Sequence, residues 1–168
     1  MKLIIREAKP ETDWLTGIWP ILQEVVRAGD TFALSQEIDE PGARQQWMLP
    51  APAGVFVAVN EQNGAIVGSS LVKANQPGLG GHVANAAFMV ASDASGRGVG
   101  RALAEHALEW ARTAGFSAMQ FNFVVSTNLR AIALWKHLGF SIVGTIPQAF
   151  QHQGLGRKVD AFVMHRFL

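Results

Sequence analysis

Val90-Ala91-Ser92-Asp93-Ala94-Ser95-Gly96-Arg97-Gly98-Val99-Gly100-Arg101-Ala102-Leu103 carries the chain from the end of an apolar run, His82 to Val90, into a helical one, Gly98 to Ala114. Glycine stands at every second position from 96 to 100. Residues without Cβ let the backbone come close to a bulky anion, and the first turn of a helix holds N–H groups that have no acceptor inside the helix. Arg97 and Arg101 add positive charge. The arrangement suits a pyrophosphate, although glycine at a strand-to-helix turn also serves plain packing. Two rival phosphate motifs fail on single residues. A nucleoside triphosphatase loop ends in Gly-Lys-Ser or Gly-Lys-Thr, whereas this one ends Gly100-Arg101-Ala102; a dinucleotide fingerprint needs glycine at 101 or 103, which are Arg101 and Leu103.

Downstream of this stretch, Ala118 to Val125 reads as a strand and Leu129 to Leu138 as a helix. Ser141 to Ile146 and Val159 to Phe167 read as closing strands around a loop, Pro147 to Gly156. Upstream, the β-rich runs Val55 to Val59 and Ile66 to Lys73 flank Asn60-Glu61-Gln62-Asn63-Gly64, whose Asn-Gly pair supplies the positive φ of a tight hairpin. Lys2 to Arg6 predicts a short strand and Pro10 to Ala28 a helix ended by Gly29 and Asp30. Thr31 to Pro52, punctuated by Pro41, Pro50 and Pro52, predicts a covering region around a short helix from Arg44 to Met48. A hairpin followed by strand-helix-strand predicts an α/β fold, a mixed sheet flanked by helices with its parallel portion in the second half and ligands at the carboxyl ends of the strands.

A chain of 168 residues suits one domain, 1–168. Charged residues make up 16% of it and hydrophobic residues 49%, which predicts some apolar surface and a homodimer to cover it. A formal net charge of +1 without a basic run gives no footprint for nucleic acid, so a small partner is expected. The lack of cysteine excludes disulfides, thiolate metal sites and cysteine nucleophiles, and no metal is expected, since no histidine has ligand spacing. The opening Met1 to Trp14 has no long apolar stretch, which points to no membrane association and a cytoplasmic location.

Ser95 to Gly100 resembles the acetyl-CoA loop of the GNAT superfamily, Q/R-x-x-G-x-G/A, with Gly98 and Gly100 at its fixed glycines and Ser95 where that pattern has Gln or Arg. Asn128 to Phe140 is similar to the later family motif N-x-x-A-x-x-L-Y-x-x-x-G-F, and Ile5-Arg6-Glu7-Ala8 to its opening segment. Ala131, Leu134, Trp135 and Leu138 share one helix face, and Asn128 sits where an N-cap or a ligand amide belongs. The resemblance implies a six- or seven-stranded sheet in which two parallel strands splay apart to receive pantetheine. It assigns the cofactor to Phe88, Met89 and Val90, to Ser95, Gly96, Arg97, Gly98, Val99, Gly100 and Arg101, and to Asn128 and Trp135.

The implied activity is transfer of an acetyl group from acetyl-CoA to a small amine or amino-acid-like acceptor by direct attack of nitrogen on the thioester. Family members commonly place a tyrosine acid at the position of Trp135, and this chain has no tyrosine. No Asp or Glu stands on His82 to Val90 or Ala118 to Val125 as a base. Strand alternation groups Asn85 with Val83, Ala87 and Met89, and Asn122 with Ala118, Gln120 and Val124. An amide on a core strand must bond to backbone, water or ligand, which leaves a structural and a substrate role equally open. His82-Val83-Ala84-Asn85 and Phe121-Asn122-Phe123-Val124 resemble a fungal branch that acetylates proline analogues such as azetidine-2-carboxylate, which implies that Asn85 and Asn122 lie at the substrate. His82 and His152 are read as lone structural histidines, and Phe32, Trp47 and Phe150 as walls or core. The alternatives are a catalytically silent acetyl-CoA-binding module and an acetyltransferase of protein N-termini or lysines.

Overall fold

The computed structural model describes residues 1–168. Leu3–Glu7 forms β1, and the Asn63-Gly64 pair closes the hairpin of β2, Gly54–Asn60, and β3, Ile66–Ala74. Gly64 has φ +73, and its N–H donates to the Asn60 carbonyl at 2.9 Å. Next come β4, Val83–Val90, and β5, Ala118–Val125, on either side of a helix, then β6, Ser141–His152, and β7, Arg157–Phe167. The seven strands lie in the order β1-β2-β3-β4-β5-β7-β6, and only β4 and β5 run parallel.

Helices cover both faces because both faces of the central strands are apolar. Trp19–Ala28 (α1) and Glu40–Trp47 (α2) bury Ile21, Leu22, Val26 and Trp47 against Val55, Val57, Leu71 and Met89. Val99–Thr113 (α3) and Leu129–His137 (α4) bury Ala104, Ala107, Ile132 and Trp135 against Val72, Ala84, Met119 and Phe121. Each large aliphatic side chain so enclosed contributes about 1.5–3 kcal/mol. Arg6 fastens β1 to the chain entering α1, with Nη1 and Nη2 donating to the two Asp13 carboxylate oxygens at 2.6 and 3.0 Å. The Lys9 N–H donates to the same carboxylate at 2.7 Å.

Four expectations need correction. The helix expected from Pro10 begins as a π-turn, Trp14–Ile18, before α1, because Pro20 has no N–H to continue an α ladder and its ring crowds the carbonyl four residues back. In α2, Pro41 starts the helix rather than interrupting the chain: Asp39 caps it by accepting from the Gly42 N–H at 2.9 Å. The loop expected at Pro147 to Gly156 is mostly strand. A bulge between Ile146 and Phe150 absorbs Pro147 and Gln148, which an edge strand tolerates, and β6 continues to His152. In β5 a register shift between Phe121 and Val124 turns Val124 onto the face of Phe121, away from the grouping with Gln120 and Asn122 that strict alternation predicts.

Candidate active site

β4 and β5 are paired only at Val83 with Ala118 and Ala84 with Met119. Just past that point the Asn85 side chain takes over, its Nδ2 donating to the Gln120 carbonyl at 3.0 Å. Beyond it the strands part. Phe88, Phe121 and Trp135 cluster there with ring centroids 4.7–5.9 Å apart. The gap opens into a cavity of about 560 Å³ at the carboxyl ends of both strands. Its walls include Asn85 to Val90, Phe121 to Val125, Ser92, Ser95, Asn128, Ala131 and Trp135, together with Glu24, Val25 and Ala28 of α1 and Asp30 to Ala33 after it.

The glycine loop lies beside this gap. Gly96 and Gly98 adopt φ +79 and +85, a left-handed conformation that favours glycine, and a Cβ built on either meets nothing within 4 Å. Glycine is therefore required here by backbone angle, and the space in front of the loop is open. Gly98 caps α3 without a side-chain acceptor, and the first helical bond runs from the Ala102 N–H to the Gly98 carbonyl at 3.0 Å. The N–H groups of Val99, Gly100 and Arg101 are left for a ligand. The Val99 side chain is 1% exposed in a core cluster and the Met89 side chain is buried in another, so both offer only main chain. Gly100 packs loosely, an added Cβ lying 3.7 Å from Val90 Cγ2 and 3.8 Å from Leu134 Cδ2.

Among the charged members, Arg97 is exposed, and Arg101 Nε donates to Glu105 one turn on at 2.8 Å. Ser95 lacks the long Gln or Arg side chain of the family pattern, but Arg130, in the first turn of α4, donates from Nη1 to Ser95 Oγ. A guanidinium is thus held at the loop by a different element. Sequence reading missed it because only the fold joins positions 95 and 130. Asn128 caps α4, with Oδ1 accepting from the Ala131 N–H at 3.2 Å.

Asn85 and Asn122 line the same cavity. Neither is a fully buried core residue as the strand pattern predicts: Asn85 is half-buried and Asn122 exposed. Asn122 sits in a chain of amides, with Oδ1 accepting from Gln120 Nε2 at 2.9 Å and Nδ2 donating to Asn75 Oδ1 at 2.6 Å. Trp135 reaches the cavity but is 7% exposed among aromatic neighbours. Phe32 lines the cavity, whereas Trp47 and Phe150 belong to the core. His152 Nδ1 accepts from the Leu155 N–H at 3.3 Å and shapes the β6–β7 turn. The ionisable side chains of the cavity are Glu24 and Asp30. They escaped the sequence reading because they lie at the end of α1 rather than on the central strands. No group of three or more His, Asp or Glu side chains is placed to hold a metal ion, and no helix is long and apolar enough to cross a membrane.

A splayed parallel pair beside an uncapped helix start matches what residues 18–140 give on comparison with known families, a match to the acetyltransferase (GNAT) family. The chain belongs to the GNAT family of N-acetyltransferases. This GNAT chain is 33% identical over 114 residues to N-acetyltransferase aca1 of Schizosaccharomyces pombe, a segment that makes up 68% of this chain and 54% of that protein. The chain therefore spans about half the length of that curated relative. A GCN5-related N-acetyltransferase from Kribbella flavida shares 45% identity and superposes with a TM-score of 0.92, covering 99% of this chain and 98% of that one. A GNAT phosphinothricin acetyltransferase from Sinorhizobium meliloti, solved in complex with acetyl-CoA, superposes with a TM-score of 0.88 at 23% identity, over 100% of this chain and 89% of that one. At that identity the likeness is one of fold.

Proposed function

We propose that this GNAT chain transfers the acetyl group of acetyl-CoA to the nitrogen of a small amine or amino-acid-like acceptor. The observation that carries the reading is the parting of β4 and β5 beyond Ala84 and Met119, next to a helix start whose N–H groups have no protein acceptor. Acetyl-CoA supplies an acyl group activated as a thioester. Phe88, Met89 and Val90 offer the open main-chain edge for its pantetheine arm, and the turn from Ser95 to Arg101 offers N–H groups for its diphosphate. Asn85 spends Nδ2 on the Gln120 carbonyl and keeps Oδ1 to accept from the acceptor's N–H. Asn122, fixed between Gln120 and Asn75, orients the same molecule.

In the transfer, an acceptor that enters as an ammonium first gives a proton to water in the cavity; the neutral nitrogen then attacks the carbonyl carbon, the C–N bond forms, the C–S bond breaks to release thiolate, and the nitrogen's second proton passes to water. A thiol pKa of about 8.5 makes thiolate a workable leaving group, so a buried indole at 135 in place of an acid slows the reaction without forbidding it. The resemblance to the fungal branch puts secondary amines such as azetidine-2-carboxylate among the acceptors to try. The rival reading, a silent acetyl-CoA-binding module, draws on the missing tyrosine. Thiol release from acetyl-CoA across amino acids, cyclic secondary amines, polyamines and protein N-terminal peptides decides between them. Release with one small amine class supports the transferase; calorimetric binding of acetyl-CoA with release from none overturns it.

The same reading includes a homodimer. β6 is an unpaired edge, and Ile142, Val143 and Ile146 are exposed along it. A Val143→Lys variant that sediments as a monomer where the parent sediments as a dimer supports this; a monomeric parent overturns it.

A further inference from the structure

The cavity is charged in one sense. Glu24 and Asp30 line it, and no Lys, Arg or His does. Glu24 is exposed and makes one long contact, 3.5 Å from the Ser92 N–H at the end of β4. Asp30 is half-buried, and its carboxylate takes part in no ion pair or side-chain hydrogen bond within the chain.

The fold nevertheless holds Asp30 in place from both sides. Before it, Gly29 turns the chain at φ +64, and its carbonyl accepts from the Gln153 N–H of the β6–β7 turn at 3.0 Å. The fit is close enough that a Cβ on Gly29 would lie 2.5 Å from Gln153 Cγ. After it, Phe32 packs on Trp47 with ring centroids 6.0 Å apart. A carboxylate positioned on a cavity wall with no partner from the protein attracts a cation and repels an anion, and it does so more strongly where protein excludes water.

On the splayed strands the polar side chains that line the cavity are amides, without a cation among them. Asn85 Nδ2 already donates to the Gln120 carbonyl, and Asn122 Nδ2 to Asn75 Oδ1. Each amide keeps a second Nδ2 N–H, a neutral donor, and the ammonium of Lys73, the cross-strand partner of Asn85, is exposed and is not part of the cavity wall.

We propose that Asp30 is a specificity-determining residue that favours acceptors entering with net positive charge, amines with no carboxylate next to the reacting nitrogen, over zwitterionic amino acids. The inference rests on the transferase reading of this same cavity and narrows its substrate class. Glu24 adds to the same field from α1. Specificity here comes as much from what the site repels as from what it binds.

Prolinamide and proline test it, since they share a ring and a secondary amine and differ in the carboxylate. The kcat/KM of each is measured by thiol release at one pH for the parent, Asp30→Asn and Asp30→Lys. Comparing the amide-to-acid ratio between variants cancels the difference in basicity of the two amines. The ratio is expected to fall about tenfold in Asp30→Asn and further in Asp30→Lys, with the KM for acetyl-CoA within about twofold of the parent. An unchanged ratio in both variants overturns the inference while leaving the transferase reading intact. Calorimetric titration of the acetyl-CoA-saturated protein with both compounds gives a second readout that does not need turnover. An amide-to-acid affinity ratio that falls in Asp30→Asn supports the role of Asp30, and an unchanged ratio, or binding of neither compound, overturns it. Thiol release from no amine at all overturns the transferase reading instead.

Discussion

The two halves of the cavity are built from different parts of the chain. On the proposed reading the cofactor would meet mostly main chain: the open edge of Phe88 to Val90 in the cavity and, beside it, the N–H groups of Val99, Gly100 and Arg101 at the start of α3. On the same reading the acceptor would meet side chains: Asn85 and Asn122 on the splayed strands, Asn75 bonded to Asn122, and Asp30 beyond α1. Backbone donors are the same whatever the residue, so the first half can serve one common co-substrate throughout a family. Side chains differ, so the second half is where one chain can be told from another.

Substitutions should therefore separate the halves by kinetic parameter. The largest effect is expected from Asn122→Ala and Asn85→Ala, each lowering kcat about 100-fold with the acetyl-CoA dissociation constant within about twofold. The two differ in stability. Asn85→Ala also removes the bond to the Gln120 carbonyl that bridges β4 and β5 and should lower the melting temperature by about 2–4 °C, whereas exposed Asn122 should leave it within about 1 °C. Parental turnover in both variants would dissolve the distinction between the halves.

Arg130→Ala probes the one side-chain cation that joins the cofactor half through Ser95. It should weaken acetyl-CoA binding about fivefold at low ionic strength and less in high salt, with kcat at saturation unchanged. A salt-independent loss would instead mark Arg130 as a strut for the loop. The smallest functional effect is expected at Asp13, which fixes the start of the segment leading through α1 to Asp30. Its carboxylate is held below the usual range, first by the hydrogen bonds from Arg6, against the opposing effect of burial. A depressed carboxylate stabilises the fold fully above its unfolded value of about 3.9 and loses that contribution as pH falls through the lower native value. Asp13→Asn should then cost about 1–2 kcal/mol at pH 7, the lower end of a charged hydrogen bond because Arg6 is 35% exposed. The difference in melting temperature between parent and variant should shrink as pH drops below about 4.

The same division explains what could be read before the structure. The glycine loop, the Asn128-led helix and the Asn63-Gly64 hairpin are contiguous signals in which a required φ, a cap or a helix face fixes the residue type, and each appears where its pattern places it. The acceptor half is assembled across the sequence, from Asp30, Asn75, Asn85 and Asn122, and no spacing rule connects such positions. Alternation along β5 fails where the bulge beyond Phe121 inserts an extra residue opposite β7. Pro41 and Pro147 were legible as chain breakers only in part, since a proline can also begin a helix or sit in an edge bulge. Arg130 and Asp30 became visible only when the fold set them beside Ser95 and the splayed strands.

The most direct test of a main-chain cofactor site is calorimetric titration of Gly98→Ala with acetyl-CoA. An added methyl group there meets no protein atom within 4 Å, and the left-handed φ of +85 costs alanine about 1–2 kcal/mol. The variant should melt about 2–8 °C below the parent, still fold, and bind acetyl-CoA about tenfold more weakly, because the methyl group enters the open space in front of the loop. An unchanged dissociation constant in a normally folded variant would contradict a backbone-bound diphosphate at the start of α3.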